Sequence, residues 1–215
     1  KAGRASEMAY QTLRIAKEQK LDIEKALFAS QIRVAGNATT ARKLAGVPSW
    51  IKTNDTNLGT NGVTGDGLGT TTRVDGTQTV FSQADFDSLM QEIWVQGGKA
   101  SSVYLSSFQM NLALGFTGNN NQRSTVQAGD EKVIKSLDVY VTPWGTVEFI
   151  PSRENRSRDV WVMQDDMWAV AVLRGTKNVE LAKTGDNSTR QVVTELTLIS
   201  KNEKASGTVT DCTTS

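Results

Sequence analysis

Histidine is absent from the 215-residue chain, and cysteine occurs once, at Cys212. Without histidine, neither a Ser-His-Asp or Cys-His catalytic group nor a histidine-metal centre can form. A single cysteine cannot form an intrachain disulfide or a thiolate cluster for zinc or iron-sulfur chemistry. We therefore predict no metal and no cofactor, and any enzyme chemistry would have to depend on carboxylates or lysines.

Long apolar segments are also lacking. No run approaches the ~20 residues that a helix needs to cross a bilayer, and no signal-peptide pattern opens the chain. These absences predict a protein that is neither membrane-bound nor secreted. The chain begins at Lys1, without methionine and inside a helical pattern, so we expect that residues upstream have been removed.

Charge is nearly balanced overall but unevenly distributed. The formal net charge is +1, yet residues 1–44 contain nine Lys or Arg against four Asp or Glu. Such an excess is typical of a solvated helix face, and it also suits an acidic partner such as nucleic acid or a neighbouring subunit. The basic residues of this segment that we select as candidate contacts are Arg4, Arg14, Lys17, Lys20 and Lys25.

One long helix is predicted from Arg4 to about Val34. This segment contains no proline, is rich in Ala, Leu, Glu, Lys and Gln, and is followed by Gly36-Asn37. At a rise of ~1.5 Å per residue, this length makes a rod of roughly 45 Å. Small and apolar residues recur at helical spacing and form one packing stripe, at Ala5, Ala9, Leu13, Ala16, Ile23 and Leu27.

Two less regular segments follow. A short second helix is predicted from Thr39 to Leu44, ended by Gly46 and Pro48. Residues 54–76 are rich in Gly, Thr and Asn and contain few aliphatic side chains. This composition predicts an exposed, flexible loop that is too poor in apolar side chains to pack.

A helix-strand-helix unit is predicted next. Ser82 is a helix-capping residue at the start of an amphipathic run, and Gly97-Gly98 ends that run. The apolar sequence SSVYL at 101–105 predicts a short buried strand. A second capped helix, from Ser106 or Ser107 to Leu114, follows it directly.

Strands dominate the second half of the chain. The segments LDVYVT and TVEFIP alternate at period two around Pro143-Trp144-Gly145, which predicts a hairpin with Leu137, Val139 and Val141 on one face. The turn residues Gly185-Asp186-Asn187 predict that the segments on either side pair as an antiparallel ribbon. With helices early and strands late, the class is α+β. Further strands are predicted at Val160–Gln164, Trp168–Leu173, Val179–Ala182 and Gln191–Ser200.

Three patterns with chemical potential have simpler explanations. GDGLG at 65–69 lacks the preceding strand and the Gly-Lys-Ser/Thr of a phosphate-binding loop. The acidic and amide residues of the same loop lack calcium-loop spacing. Asp165-Asp166 lies between two predicted strands, where a turn is favoured, although together with Glu148 it leaves a carboxylate-based hydrolase as an alternative.

An arginine-bearing loop occupies residues 152–159, SRENRSRD. Acidic residues are interleaved with its arginines, and no aromatic residue is adjacent for base stacking. Ion pairing between subunits or a solvated loop is therefore favoured over nucleic-acid binding. Arg153, Arg156 and Arg158 complete the set of candidate contacts to neighbouring subunits or to DNA.

Four regions of the sequence closely resemble tailed-phage major head proteins. They are GRASEMAYQ at 3–11, VAGNATTARKLAGVPSWI at 34–51, DVYVTPWGTVEFIPSR at 138–153, and MWAVAVLR with VELAKTGD at 167–186. The resemblance extends from Gly3 to about Asp211. It implies the Hong Kong 97-like major capsid fold, an α+β fold with a long spine helix, a β-ribbon in a peripheral domain and an α/β axial domain.

The same resemblance implies how the chain is divided. Residues 1–45 resemble the spine helix and a short helix of the peripheral domain, and 46–175 resemble the axial domain, including the flexible loop. Residues 176–202 resemble the antiparallel strands of the peripheral domain, and 203–215 a return strand to the axial domain with a tail. The N-terminal arm and extended loop of the family are absent here, so we expect a truncated subunit.

The resemblance also implies a function. We expect a structural protein, not an enzyme, that self-assembles through pentamers and hexamers into the icosahedral shell around phage double-stranded DNA. Its partners would be further copies, DNA bound without sequence specificity, and cement or scaffold proteins, with no membrane. It would be found in the virion, and in the host cytoplasm during assembly. The alternatives are an encapsulin-like nanocompartment shell protein and a carboxylate-based hydrolase.

Overall fold

Helices and strands alternate irregularly along the chain in a computed structural model that describes residues 6–57, 59–116 and 139–214. Two short 3-10 turns, Asp165–Met167 and Glu203–Ala205, separate the late strands. The elements of the described residues are α1 (Glu7–Phe28), α2 (Val47–Trp50), β1 (Asp55–Asn57), α3 (Gln83–Val95), β2 (Ser102–Leu105), α4 (Ser107–Ala113), β3 (Val139–Thr142), β4 (Gly145–Pro151), β5 (Val160–Met163), β6 (Trp168–Glu180), β7 (Arg190–Ser200) and β8 (Gly207–Thr210).

Six strands form a mixed sheet in the spatial order β1-β8-β5-β2-β4-β3. The β1–β8 and β2–β4 pairs are parallel, and the other neighbours are antiparallel. Strand β8 follows all the others in sequence, yet it lies between β1 and β5. The segment after residue 203 therefore returns to this sheet and adds β8 to it.

Helix α3 covers one face of the sheet. Its N-terminus is fixed by a capping box, in which Asp85 N–H donates to Ser82 Oγ (3.4 Å) and Ser82 N–H donates to Asp85 Oδ2 (3.1 Å). Phe86 is fully buried and meets Tyr140 of β3 edge to face, with ring centroids 5.3 Å apart. The other buried side chains of α3 are Leu89, Met90 and Ile93.

Strand β5 is buried on both faces of the sheet. Val160 and Val162 belong to the core under α3, whereas the alternate residues Trp161 and Met163 pack on the opposite face. The second core also contains Phe28 from the end of α1 and residues of α2 and β7. The sheet is therefore the central layer between two sets of covering elements.

Several local predictions are confirmed. Helix α3 begins after Ser82, β2 coincides with the SSVYL strand, and α4 follows it. The hairpin forms from β3 and β4. Val139 and Val141 do share a face, but that face is exposed, because the alternate residues of β3 point into the core. Leu137 lies outside the described residues.

The predicted long helix is too long at its C-terminal end. Helix α1 ends at Phe28, and Ala29 is already extended. The residues beyond it make tertiary hydrogen bonds instead: Arg33 N–H donates to Gly69 O (2.9 Å), and Val34 pairs with Lys43 as an antiparallel bridge. These partners replace the helical hydrogen bonds that the sequence pattern favours.

The short helix predicted from Thr39 to Leu44 does not form. Asn37 Oδ1 accepts from the N–H groups of Thr39 (2.9 Å) and Thr40 (2.7 Å), which closes a turn. A helix instead begins at Val47, where Pro48 occupies the first turn and lacks only an N–H that would have no helical partner.

Residues 54–76 are better packed than predicted. The prediction of an exposed loop is wrong for Arg73, Gly65 and Gly69, which are buried. Polar contacts hold the segment, among them a bridge between Val63 and Val74. Few apolar side chains are needed, because the backbone and charged groups of the segment have hydrogen-bond partners within it and at Asp159 and Asp211.

The late ribbon is longer than predicted. The strands predicted at Trp168–Leu173 and Val179–Ala182 are one strand, β6, with register shifts between Val172 and Lys177. Strand β6 pairs antiparallel with β7, as predicted. The Gly175 region is accommodated as an irregularity within the strand, because a bulge admits extra residues without ending the ladder.

Candidate functional site

Helix α1 leaves most of its surface uncovered. Phe28 is its only buried residue, at the end that reaches the second core. The four candidate contacts Arg14, Lys17, Lys20 and Lys25 are all exposed on this helix, whereas Arg4 lies outside the described residues. Their exposure is compatible with a contact to DNA or to another subunit, and their role stays a prediction.

Exposed apolar side chains accompany these charges. Leu13, which we predicted to lie on the packing stripe, is instead 65% exposed. Leu21 is 51% exposed, and Tyr10 lies on the same side of the helix. We call these three residues the α1 stripe. An uncovered apolar stripe is typical of a surface that meets another molecule.

The β6–β7 pair, which we call the ribbon, is the second uncovered surface. It forms a sheet of its own, joined to the second core by Trp168 and Leu198. Leu173 is 79% exposed and Val172 is 56% exposed. A two-stranded ribbon with no further strand beside it gains little stability from its own pairing.

A groove of about 950 Å³ separates α1 from the ribbon. Ile23 and Ala26 line it from the helix, and Val172 and Leu196 line it from the ribbon. Helix α1 thus packs against the ribbon only in part. The two uncovered surfaces are neighbours that could be covered by the same partner.

Two of the three candidate arginines in the 152–159 loop are turned into the chain. Arg156 contacts Asp75 (2.6 Å) and Asp159 (3.0 Å), and Arg158 contacts Asp211 (2.6 Å). Their guanidinium groups are thus already paired within the chain. Arg153 is exposed, and among the three it is the arginine whose position best suits a contact with another molecule.

Arg73 lies at the centre of these ion pairs. Its side chain is 1% exposed and contacts Asp75 (2.7 Å), Asp159 (3.2 Å) and Asp211 (2.9 Å). No local pattern indicates a role for this residue, because two of its partners are 86 and 138 positions away. The Arg-Asp cluster consists of Arg73, Arg156, Arg158, Asp75, Asp159 and Asp211.

Burial and ion pairing act in opposite directions on the acids of this region. Burial raises the pKa of Asp159 to about 6, although Arg156 and Arg73 oppose that shift. Burial also raises the pKa of Asp55, beside the cluster, to about 6. Asp75 is less buried; its own desolvation is outweighed by the hydrogen bond from Arg156 and the nearby guanidinium charges, which lower its pKa.

The carboxylates of the alternative hydrolase do not converge on a cleft. Asp165, Asp166 and Glu148 are exposed. Asp165 accepts hydrogen bonds from Ser101 (3.1 Å) and Tyr104 (3.4 Å), and none of the three acids lines the groove beside α1. This geometry gives no support to acid-base catalysis by these residues.

No group of three or more carboxylate or thiol side chains in residues 6–57, 59–116 and 139–214 is arranged to hold a metal ion. Within the same ranges, none of the helices combines the length and the apolar character that crossing a bilayer requires.

Comparisons with known proteins identify the family. Among solved structures, the chain is similar to a chain of the "Satellite phage P4 procapsid including size determination (Sid) protein", with a TM-score of 0.54 and 12% identity. The match covers 99% of this chain and 65% of that chain, and at this identity it shows a shared fold. No curated protein matches. The family described as SU10 major capsid protein matches residues 1–213, and the chain therefore belongs to the SU10 major capsid protein family.

Proposed function

We propose that copies of this protein associate through the ribbon and helix α1 into pentamers and hexamers that close an icosahedral shell around double-stranded phage DNA. The observation that carries the proposal is the family match over residues 1–213. The uncovered apolar residues of the ribbon and of the α1 stripe supply surfaces that such an assembly needs.

The proposed architecture is the Hong Kong 97-like fold. In this proposal, α1 is the spine helix, the ribbon belongs to the same peripheral domain, and the six-stranded sheet with α3 and α4 is the axial domain. The boundary predicted at residue 175 falls inside β6, because that strand is continuous from Trp168 to Glu180. We therefore place the beginning of the ribbon at Trp168.

Heterologous contacts are the natural way to build such rings. When one surface of a subunit meets a different surface of the next, the rotation between them closes a ring of fixed number. Each contact contributes modestly, but a subunit held by several neighbours dissociates only when all contacts break together. A structural role of this kind requires no catalytic residue.

The exposed basic residues of α1 provide the proposed contact with packaged DNA. Lysine and arginine side chains that face phosphates release counterions, so such binding is independent of sequence and weakens steeply with salt. Arg153 is a further candidate because it has the outward position that Arg156 and Arg158 lack. Binding between α1 and an acidic surface of a neighbouring subunit is the competing role for the same residues.

Expression of the complete gene product, alone and together with the proteins encoded beside it, tests the proposal. Electron microscopy and sedimentation velocity should show closed shells or rings of five and six subunits. Monodisperse monomers under both conditions would contradict it. The content of particles purified from the natural source distinguishes a capsid from a nanocompartment, since a capsid contains a DNA genome and a nanocompartment contains enzymes.

A further inference from the structure

The Arg-Asp cluster and Asp55 together contain more acids than bases. Three carboxylates, those of Asp75, Asp159 and Asp211, contact the three guanidinium groups of the cluster. The fourth, Asp55, lies beside them and accepts a hydrogen bond from Thr210, the neighbour of Asp211 in the chain. Asp159 and Asp211 are fully buried. When every group is ionised, the four acids therefore carry one negative charge more than the three guanidinium groups, which is unfavourable around side chains as buried as Asp159 and Asp211.

We propose that this group of side chains is a proton-operated latch, in which uptake of one proton neutralises the excess charge and tightens the contact among residues 59–79, residues 152–159 and the end of β8. The device goes beyond the shell function, because it concerns the stability of the subunit itself and operates whether or not copies assemble.

The hydrogen bonds of the latch join segments that are far apart in sequence. Asp211 accepts from Gly76 N–H through its side chain (2.9 Å) and from Thr79 N–H through its carbonyl (2.8 Å). Thr213 N–H donates back to Thr79 O (3.0 Å), and Arg158 donates to Gly76 O (2.5 Å). Repulsion within the carboxylates would therefore be transmitted directly to the backbone contact between residues 76–79 and 211–213.

Asp159 and Asp55 are the two acids of the latch whose pKa values are raised, and each is influenced by a small set of charged groups. Asp159 is affected by Arg156, Arg73, Asp75 and Asp55. Asp55 accepts a hydrogen bond from Thr210 Oγ1 (2.9 Å) and is affected by Arg73 and Asp211. Cys212 is affected by Asp159, Asp85 and Asp211, and burial raises the pKa of its thiol, so the thiol stays neutral and adds no charge.

Histidine, the side chain that usually titrates between pH 5 and 8, is absent. The pKa values of Asp55 and Asp159 are both raised to about 6. An acid whose pKa is raised by folding binds its proton more tightly in the folded chain than in the unfolded chain. The resulting stabilisation of the folded chain is complete below the ordinary carboxyl pKa and is lost as the pH rises through 6.

Hydrogen exchange tests the latch in the unmodified protein. Protection factors for the amides of Gly76, Thr79 and Thr213, corrected for the intrinsic effect of pH, should be about tenfold higher at pH 5 than at pH 7.5 if one shared proton is taken up. Equal protection at the two pH values would overturn the proposal.

The variant Asp55→Asn isolates the excess charge. Asparagine keeps an oxygen that can accept from Thr210 but removes one negative charge, so the difference in protection between pH 5 and pH 7.5 should fall to less than about twofold. The matched control is Asp166→Asn, at an exposed acid outside the latch, which should keep the full pH effect. A full pH effect in Asp55→Asn would overturn the proposal.

A direct titration covers the case in which the variant is disturbed for other reasons. Carbon-13 NMR of the aspartate carboxyl groups in the unmodified protein should show a transition near pH 6 in the signal of Asp55 or Asp159. Titration of both signals at or below pH 4 would contradict the latch independently of any substitution.

Discussion

Arg73 and Asp211 form an ion pair of 2.9 Å across 138 positions of sequence, and both side chains are almost completely buried. The pair links a segment rich in Gly and Thr to the residues that follow β8. Because each side chain also has another charged partner, the contact belongs to a network whose members support one another.

Replacement of Arg73 by glutamine should destabilise the subunit strongly. The change leaves Asp159 and Asp211 buried with one guanidinium partner fewer, and breaking a buried pair on one side costs about 3–5 kcal/mol. Urea unfolding followed by tryptophan fluorescence measures the loss. The matched control Arg153→Gln, at an exposed arginine, should change the free energy of unfolding by less than about 0.5 kcal/mol. Similar stability of the two variants would contradict the structural role assigned to Arg73.

Gly207→Ala tests the packing of β8 against α3. A Cβ at this position would lie 2.6 Å from Leu89 Cδ1 and 2.9 Å from Asn54 O, so the strand or the helix must shift. We expect a loss of about 1–3 kcal/mol in the free energy of unfolding, as for other overpacked sites. The control is Gly185→Ala, where nothing lies within 4 Å of the added carbon. A Gly207→Ala variant as stable as this control would show that β8 is less tightly enclosed.

Leu173→Asp should block assembly while leaving the subunit folded. Leu173 is 79% exposed on the ribbon, so a charge there barely affects the isolated chain but would be buried in a contact between copies. Sedimentation velocity should show monomers, and unfolding should change by less than about 0.5 kcal/mol. The control Leu68→Asp alters a leucine that is 66% exposed outside the ribbon and should still assemble. Normal assembly of Leu173→Asp would remove the ribbon from the proposed interface.

The double variant Lys17→Gln and Lys20→Gln separates the two roles proposed for α1. If these exposed lysines face phosphates, removing both should weaken DNA binding and reduce the slope of log K against log salt by about 2. Fluorescence anisotropy with duplex DNA at several salt concentrations measures both quantities. Lys99→Gln, at an exposed lysine outside α1, serves as the control. Binding that is unchanged in the double variant would favour a contact with a neighbouring subunit.

Local signals in the sequence predicted the parts of the fold that depend on neighbouring residues. Ser82 and Asp85 form the capping box that begins α3, and the alternation around Trp144 predicted the hairpin. Both features depend on interactions within about ten residues, so distant parts of the chain do not alter them.

The errors have the opposite origin. Residues 29–34 leave the helix because their hydrogen-bond partners, such as Gly69 O, come from elsewhere in the chain. We predicted that residues 54–76 do not pack because they contain few apolar side chains. Arg73 is instead held by ion pairs with carboxylates that are far away in the sequence. The exposed basic residues of α1 were correctly placed on a helix. The sequence of one chain does not specify which other molecule they contact.

The position of β8 has a consequence for synthesis on the ribosome. Within the described residues β1 pairs with β8 alone, and the adjoining contact between Asn54 and Lys204 spans 150 positions. At ~5–20 residues per second, translation delivers the second partner roughly 8–30 seconds after the first. During that interval a nascent subunit lacks the strand that joins β1 to β5. Nascent chains on the same mRNA therefore cannot yet associate as fully folded subunits.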